Sequence, residues 1–180
     1  MNSAMEIANY LVYLMSEYYS DLSNMKLNKL LYYAQGHSLK SLSRPLFSDT
    51  IEAWKYGPIV SNVYHAYKDK GDNPITEYDK STLNAVSDEV RDLLIDIARV
   101  YGRYSAVALK NMTHVPQSPW ARVYKENEQH IVIPNNLIKE YFDSHVEEIK
   151  PIELNLSEED FIGHFNENGV LVLPKEWDDE

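Results

Sequence analysis

The sequence contains no cysteine among its 180 residues, which excludes disulfide bonds, thiolate metal ligands and cysteine nucleophiles. It also has no apolar run near the ~20 residues that a membrane-spanning helix needs. Its first residues are acidic or carry amides, where a signal peptide would carry basic side chains. We therefore expect a cytoplasmic protein that makes no membrane contact.

Excess positive charge is lacking as well, because the net charge is -11. Residues 147–180 hold 11 acidic and 2 basic side chains, which leaves only -2 for residues 1–146. A chain of this kind lacks the basic face whose counterion release drives nucleic-acid binding. We therefore expect no direct nucleic-acid contact, whereas a basic protein partner would be attracted.

Glycine and histidine are too scattered to build a cofactor or metal site. The six glycines never cluster into a phosphate-binding loop, and no two of the six histidines have the i, i+4 spacing that places two ligands on one helical face. Gly36-His37-Ser38 lies inside a predicted helix instead of at the strand-to-helix turn of a hydrolase. The sequence therefore predicts no catalytic residues, no metal and no cofactor.

Helical periodicity dominates what the sequence does contain. A capping box of Ser3 and Glu6 begins the first predicted helix, a second runs from Ser23 to before Pro45, and the clearest lies between Ser87 and Gly102. These patterns predict a mainly α fold: a compact single-domain bundle of about six to seven helices with short extended segments, followed by an acidic C-terminal extension.

The remaining segments are shorter. Residues 46–56 lose the helical period and predict an extended connector or strand, and Gly57-Pro58 predicts the start of a third helix with Pro58 in its first turn. The other predicted elements are helices capped by Ser105 and Ser118, a helix from Asn136 to Ser144, a helix from Ser157 to Phe165 and an apolar run from Val170 to Leu173.

Aromatic side chains are abundant, with 14 tyrosines and three tryptophans. Such rings combine large apolar area with a polar group and dominate protein interfaces, although most also serve in cores. Tyr32 and Tyr33 point to different sides of their helix, so we expect one to face a neighbouring element and the other to lie closer to solvent. Leu27, Leu30 and Leu31 of the same helix are predicted to be core.

Several short motifs together resemble a known family. They are residues 25–36 (MKLNKLLYYAQG), 45–47 (PLF) and 52–60 (EAWKYGPIV), followed by Leu109, Thr113-His114 and Ser118-Pro119-Trp120. In this order and spacing they are similar to the signature of the SocA-like antitoxin, or Panacea, domain. The resemblance covers about residues 5–143, so we interpret residues 1–146 as the domain and residues 147–180 as a separate extension.

The resemblance implies a mostly helical antitoxin of a bacterial or prophage toxin–antitoxin system, which is not an enzyme and binds a cognate toxin protein. In one branch of the family the antitoxin delivers its toxin to the protease ClpXP, and other members neutralise by direct binding. The sequence leaves this choice and the oligomeric state open. The residues predicted to contact the partner are Tyr32, Trp54, Tyr56, Gly57, Pro58, Tyr64, His114 and Trp120.

Two other classes of function stay open at the level of sequence. The acidic extension could imitate nucleic acid, as in a phage anti-defence protein that inhibits a host nuclease. An enzyme of unrecognised type could use His114 with Asp92 or Glu89 as acid and base. Against that second reading, we expect His114 to fix a local turn by hydrogen bonding.

Overall fold

The structure is a computed structural model that describes residues 2–150 and the backbone of two short strands further along the chain. The fold is mainly helical, as predicted, and the described residues contain seven α-helices. These are α1 (Ala4–Tyr18), α2 (Asn24–Ser41), α3 (Ser61–Tyr67), α4 (Asp88–Tyr101), α5 (Ala106–Thr113), α6 (Pro119–Val123) and α7 (Asn135–His145). Strands β1 (Ile51–Trp54) and β2 (Gly57–Val60) form a hairpin, and 3-10 turns occupy Lys68–Lys70 and Lys80–Ala85.

Helix termini follow their predicted caps. The Ser3 hydroxyl accepts the backbone N–H of Glu6 at 3.2 Å, while the Glu6 carboxylate accepts the backbone N–H of Ser3 at 2.8 Å. Ser105 and Ser118 cap α5 and α6 through their hydroxyls in the same way. Each such cap satisfies a backbone donor that the first turn leaves open, so the start of each of these helices is encoded locally.

Helix α2 lies at the centre of the domain, against α1, α4, α5, α7 and β2. Leu27, Leu30 and Leu31 are fully buried, which confirms them as core. The expectation that Tyr32 and Tyr33 divide between neighbour and solvent is wrong, because the exposed fractions of these residues are 2% and 5%. A helix enclosed on all sides has no solvent face on which to place either ring.

Helices α2 and α7 approach each other closely at Gly36. A Cβ atom at this position would overlap with the ring of Phe142. The same ring lies edge-on to Tyr32 and His37, at centroid separations of 5.7 and 5.3 Å. The missing side chain of Gly36 therefore makes room for an aromatic cluster between the two helices.

The hairpin corrects the prediction for Gly57-Pro58. Gly57 has φ of +104° and turns the chain back, so that Pro58 lies opposite Ala53 in β2 and α3 begins only at Ser61. The Pro58 carbonyl points away from β1, toward α2. In a strand, the N–H and the C=O of one residue point to the same side. An N–H at position 58 would therefore also point away from β1, so the proline removes no hydrogen bond of the hairpin.

Residues 131–133 cover the other side of β1. The backbone N–H of Ala53 donates to the carbonyl of Ile131 at 2.7 Å, and that of Ile133 donates to the carbonyl of Ile51 at 2.8 Å. Strand β1 therefore has hydrogen-bonded neighbours on both sides, which agrees with the extended structure predicted for residues 46–56. Helix α7 begins directly afterwards, close to its predicted bounds.

Backbone contacts divide the chain into residues 1–149 and 150–180. In the second unit the described backbone consists of β3 (His164–Phe165) and β4 (Leu171–Val172), which pair antiparallel. The helix predicted from Ser157 therefore does not extend to Phe165, and the rest of that prediction lies outside the described residues. The domain boundary at residue 146 stays a prediction. No helix in the described part of the chain is long and apolar enough to span a membrane.

Candidate partner-binding surface

The turn of the β1–β2 hairpin projects into solvent. Tyr56 is 58% exposed, and the Lys55 ammonium lies 5.6 Å from the centre of its ring. A single exposed ring is ordinary on a protein surface, but Tyr56 stands beside several other aromatic side chains that surround the same turn. This turn is therefore the starting point of the candidate surface.

Trp54 stands beside the turn and is held from two sides. Its indole N–H donates to the Glu52 carboxylate at 2.8 Å, and the same carboxylate oxygen lies 3.1 Å from Nδ1 of His130. The ring of Tyr64 on α3 lies 4.9 Å from that of Trp54. Glu52 is itself only 8% exposed, so it fixes the indole from the interior while the ring stays half-buried.

A second aromatic group supports the hairpin from α5 and α6. The indole N–H of Trp120 donates to the backbone carbonyl of Trp54 at 2.7 Å. The Trp120 ring is 3.7 Å from His114 and stacks on Tyr124 at 4.6 Å with an interplanar angle of 16°. Together with Trp54, Lys55, Tyr56 and Tyr64, these three residues form what we call the hairpin surface.

His114 has a structural role within this surface. Its Nδ1 lies 2.7 Å from the carbonyl of Lys110 and 3.2 Å from the hydroxyl of Thr113, and its Nε2 lies 3.4 Å from the carbonyl of Lys55. The short contact at Nδ1 therefore fixes the local turn at the end of α5, as the sequence predicted, while Nε2 faces the hairpin turn at a longer distance. Of the carboxylates considered as its catalytic partners, Glu89 instead forms an ion pair with Arg44.

Two polar side chains of α2 form hydrogen bonds with the backbone of β2. The Lys29 ammonium donates to the carbonyl of Pro58 at 3.0 Å, and the Asn28 side chain accepts the N–H of Val60 at 2.9 Å. Both residues are fully buried. Burial, together with the nearby charge of Lys110, lowers the pKa of Lys29 from 10.5 to about 7. Asn28 and Lys29 were not among the predicted contact residues. Their position between the core residues Leu27 and Leu30 is the sequence signal that could have indicated a buried polar role.

The structure gathers most of the predicted contact residues around the hairpin. Trp54, Tyr56, Tyr64, His114 and Trp120 reach the surface there, and Gly57 and Pro58 lie buried beneath them. Tyr32 does not belong to this group. It is 2% exposed and packs against Phe142 in the core, so this structure does not offer it to a partner.

A cavity of about 540 Å³ opens beside the hairpin, between the end of β1 and residues 124–130. Its lining includes Trp54, Tyr124, Glu126, Glu128 and His130, together with His65 of α3. We call it the Trp54 cavity. The sequence did not predict that residues 124–130 line a cavity, because all of them after Tyr124 are polar loop residues. Among the described residues, no three His, Asp or Glu side chains are placed to hold a metal ion.

Comparison with known proteins gives the class to which this chain belongs. Residues 27–121, more than half of the chain, match the family described as "Antitoxin SocA-like, Panacea domain". The chain therefore belongs to the SocA-like antitoxin family. The matched region contains the whole β1–β2 hairpin, Lys29, His114 and Trp120, whereas residues 124–130 lie beyond it.

A particular relative is Antitoxin SocA of Caulobacter vibrioides, strain NA1000 / CB15N. It is 36% identical over an alignment of 109 positions, and the match covers 55% of this chain and 58% of the relative. The match therefore spans little more than half the length of that curated relative. No solved structure matches the chain significantly.

Proposed function

We propose that this protein is an antitoxin that neutralises a cognate toxin by binding it through the hairpin surface. The family and the name of the Caulobacter relative support the antitoxin role. The match covers only 58% of that relative, so the toxin partner is part of the proposal. Delivery of the toxin to ClpXP is a finer form of the same proposal, and the co-expression experiment below tests it.

The observation that carries the proposal is an exposed aromatic turn on a rigid support. Tyr56 is 58% exposed, while the backbone beside it is held by the indole N–H of Trp120. Aromatic side chains are enriched among the residues that dominate binding energy. A surface already fixed in its bound form also loses less conformational entropy on association. These properties suit a protein contact better than a structural role for the ring.

Substitution of Tyr56 tests the surface directly. We expect Tyr56→Ala to weaken toxin binding by about 2 kcal/mol, or roughly 30-fold, as for a typical aromatic interface residue. Tyr18→Ala is the matched control, since Tyr18 is 75% exposed on α1 and outside the hairpin surface. Equal affinities of the two variants, measured by isothermal calorimetry, would contradict the proposed surface.

Co-expression with the product of the adjacent gene tests the function itself. The assay scores growth and co-purification in cells that contain ClpXP and in cells that lack it. Rescue with a stable complex in both strains supports neutralisation by direct binding. Rescue that requires the protease supports an adaptor. A non-toxic neighbouring product that forms no complex contradicts the antitoxin proposal.

The acidic extension contributes a separate, electrostatic part of the proposal. Residues 147–180 carry a net charge of -9, which would attract a basic toxin and cover a basic active site. Charge attraction of this kind acts mainly on the association rate, by about 10-fold or more, and salt suppresses it. Deletion of residues 147–180 should therefore slow association, and a rate that is unchanged and insensitive to salt would refute this part.

A further inference from the structure

The Trp54 cavity forms where the chain leaves the sheet. Residues 131–133 pair with β1, but His130 and Asn127 have positive φ, +57° and +67°. These two residues bend the chain just before the segment that pairs with β1, and the cavity lies between residues 124–130 on one side and Trp54 and Lys55 on the other. Positive φ at residues other than glycine is strained. The cavity is therefore built by a defined backbone path.

The aromatic wall of the cavity is fixed in the absence of any ligand. The Trp54 indole is held by Glu52 at 2.8 Å. Tyr124 stacks at 4.6 Å on Trp120, whose indole is in turn bonded to the Trp54 carbonyl. Two ring systems thus flank the cavity in fixed positions. Fixed aromatic faces favour flat or cationic groups, because the π-electron face is negative.

The charged part of the lining has a net charge of -1, and His65 and His130 stand beside it. Glu126 and Glu128 contribute two carboxylates, and Lys55 contributes an ammonium that lies against the ring of Tyr56 at the turn. Glu128 also pairs with Lys125 at 3.3 Å, and both side chains are more than half exposed. An exposed pair of this type is weak and exchanges easily for a better cation. The lining therefore favours a cationic group.

We propose that the Trp54 cavity binds an arginine side chain of the toxin. A guanidinium is planar, stacks on indole and phenol rings, is less strongly hydrated than an ammonium, and donates up to five hydrogen bonds to carboxylates. An acidic side chain would be repelled by Glu126 and Glu128, and an apolar one would gain nothing from their charge. The inference rests on the proposed function, because it names the chemistry of the toxin at one contact.

The first test needs no toxin. N-acetyl-arginine amide is titrated into the full-length protein and followed by NMR, with N-acetyl-citrulline amide as the uncharged analogue of the same shape. We expect saturable shifts at the Trp54 indole N–H and the amides of residues 126–130 with arginine, and at least several-fold weaker binding of citrulline. Equal response to both compounds, or no saturable shift at these positions, would overturn the proposal.

The second test uses charge-matched variants. Glu126→Gln/Glu128→Gln removes both carboxylates, and Glu77→Gln/Glu140→Gln removes two exposed carboxylates elsewhere. We expect the first pair to weaken toxin binding by about 10-fold and the second to leave it unchanged. If the wild-type protein binds no toxin, the proposed function fails. If it binds and both double variants bind equally well, only the arginine site fails.

Discussion

The buried amine of Lys29 makes the stability of this protein depend on pH in an unusual direction. Its ammonium is fully buried and has one carbonyl acceptor, that of Pro58, and its native pKa is about 7 against 10.5 for an ordinary lysine. Between these two values the unfolded chain binds a proton that the native protein does not. The free energy of unfolding should therefore rise with pH through this window and be lowest below it.

The size of the effect follows from the two pKa values. The slope approaches about 1.4 kcal/mol per pH unit in the middle of the window. Between about pH 7.5 and about pH 9.5 the free energy of unfolding should increase by about 2 to 3 kcal/mol. Burial raises the pKa values of Tyr32, Tyr33 and Tyr101. Their contribution to the free energy of unfolding therefore falls as pH rises through the ordinary tyrosine pKa. For this reason the measurement stops below that pH.

Urea unfolding at a series of pH values measures this dependence. Lys29→Met keeps the aliphatic stem and removes the titrating group, so its unfolding free energy should be nearly constant over the same range. Lys139→Met is the control, because Lys139 pairs with Asp143 on the surface of α7 and should leave the slope unchanged. If wild type and Lys29→Met had the same slope, the native amine would be charged and the reasoning wrong.

Three further predictions concern packing, a second titration and the hairpin support. Replacing glycine with alanine stabilises most helices, but Gly36→Ala should here lower the free energy of unfolding by about 1 to 3 kcal/mol, as measured by thermal denaturation. Adding Phe142→Leu to the same chain should restore part of this stability. A Gly36→Ala variant that is more stable than wild type would contradict the close contact. Burial lowers the pKa of His37 to about 4 from 6.5, so the free energy of unfolding should fall by about 3 kcal/mol as pH drops through that interval. His37→Gln should lose this part of the pH dependence. Equal acid sensitivity of wild type and His37→Gln in urea titrations would refute the prediction. Trp120→Phe removes the donor to the Trp54 carbonyl and should cost about 1 kcal/mol, with faster amide exchange confined to the hairpin; unchanged exchange there would count against the support.

Local chemistry accounts for the parts of the fold that were predicted correctly. Ser3 with Glu6, Ser105 and Ser118 satisfy backbone donors within their own first turns, so the start of each helix can be recognised without knowing its neighbours. The structure of Gly57-Pro58 could not be predicted in this way. The dipeptide suits both a helix start and a hairpin, and the outcome depends on contacts with Asn28 and Lys29, about 30 residues earlier in the chain.

Burial and the cavity depended even more on tertiary structure. The two sides of α2 that carry Tyr32 and Tyr33 become equivalent only because other helices cover both of them. Residues 125–130 are polar throughout, and their place beside Trp54 results from the pairing of residues 131–133 with β1, about 80 positions earlier. The sequence motif therefore indicated the aromatic residues of this region, but neither the hairpin that carries them nor the cavity next to them.

The edge of β2 limits how any extended peptide can bind to this protein. Pro58 has no N–H, its carbonyl already accepts from Lys29, and the N–H of Val60 already donates to Asn28. An incoming extended peptide could find no free backbone group at these positions, so recognition by strand addition is closed there. At these two positions, specificity toward a partner must then lie in side chains.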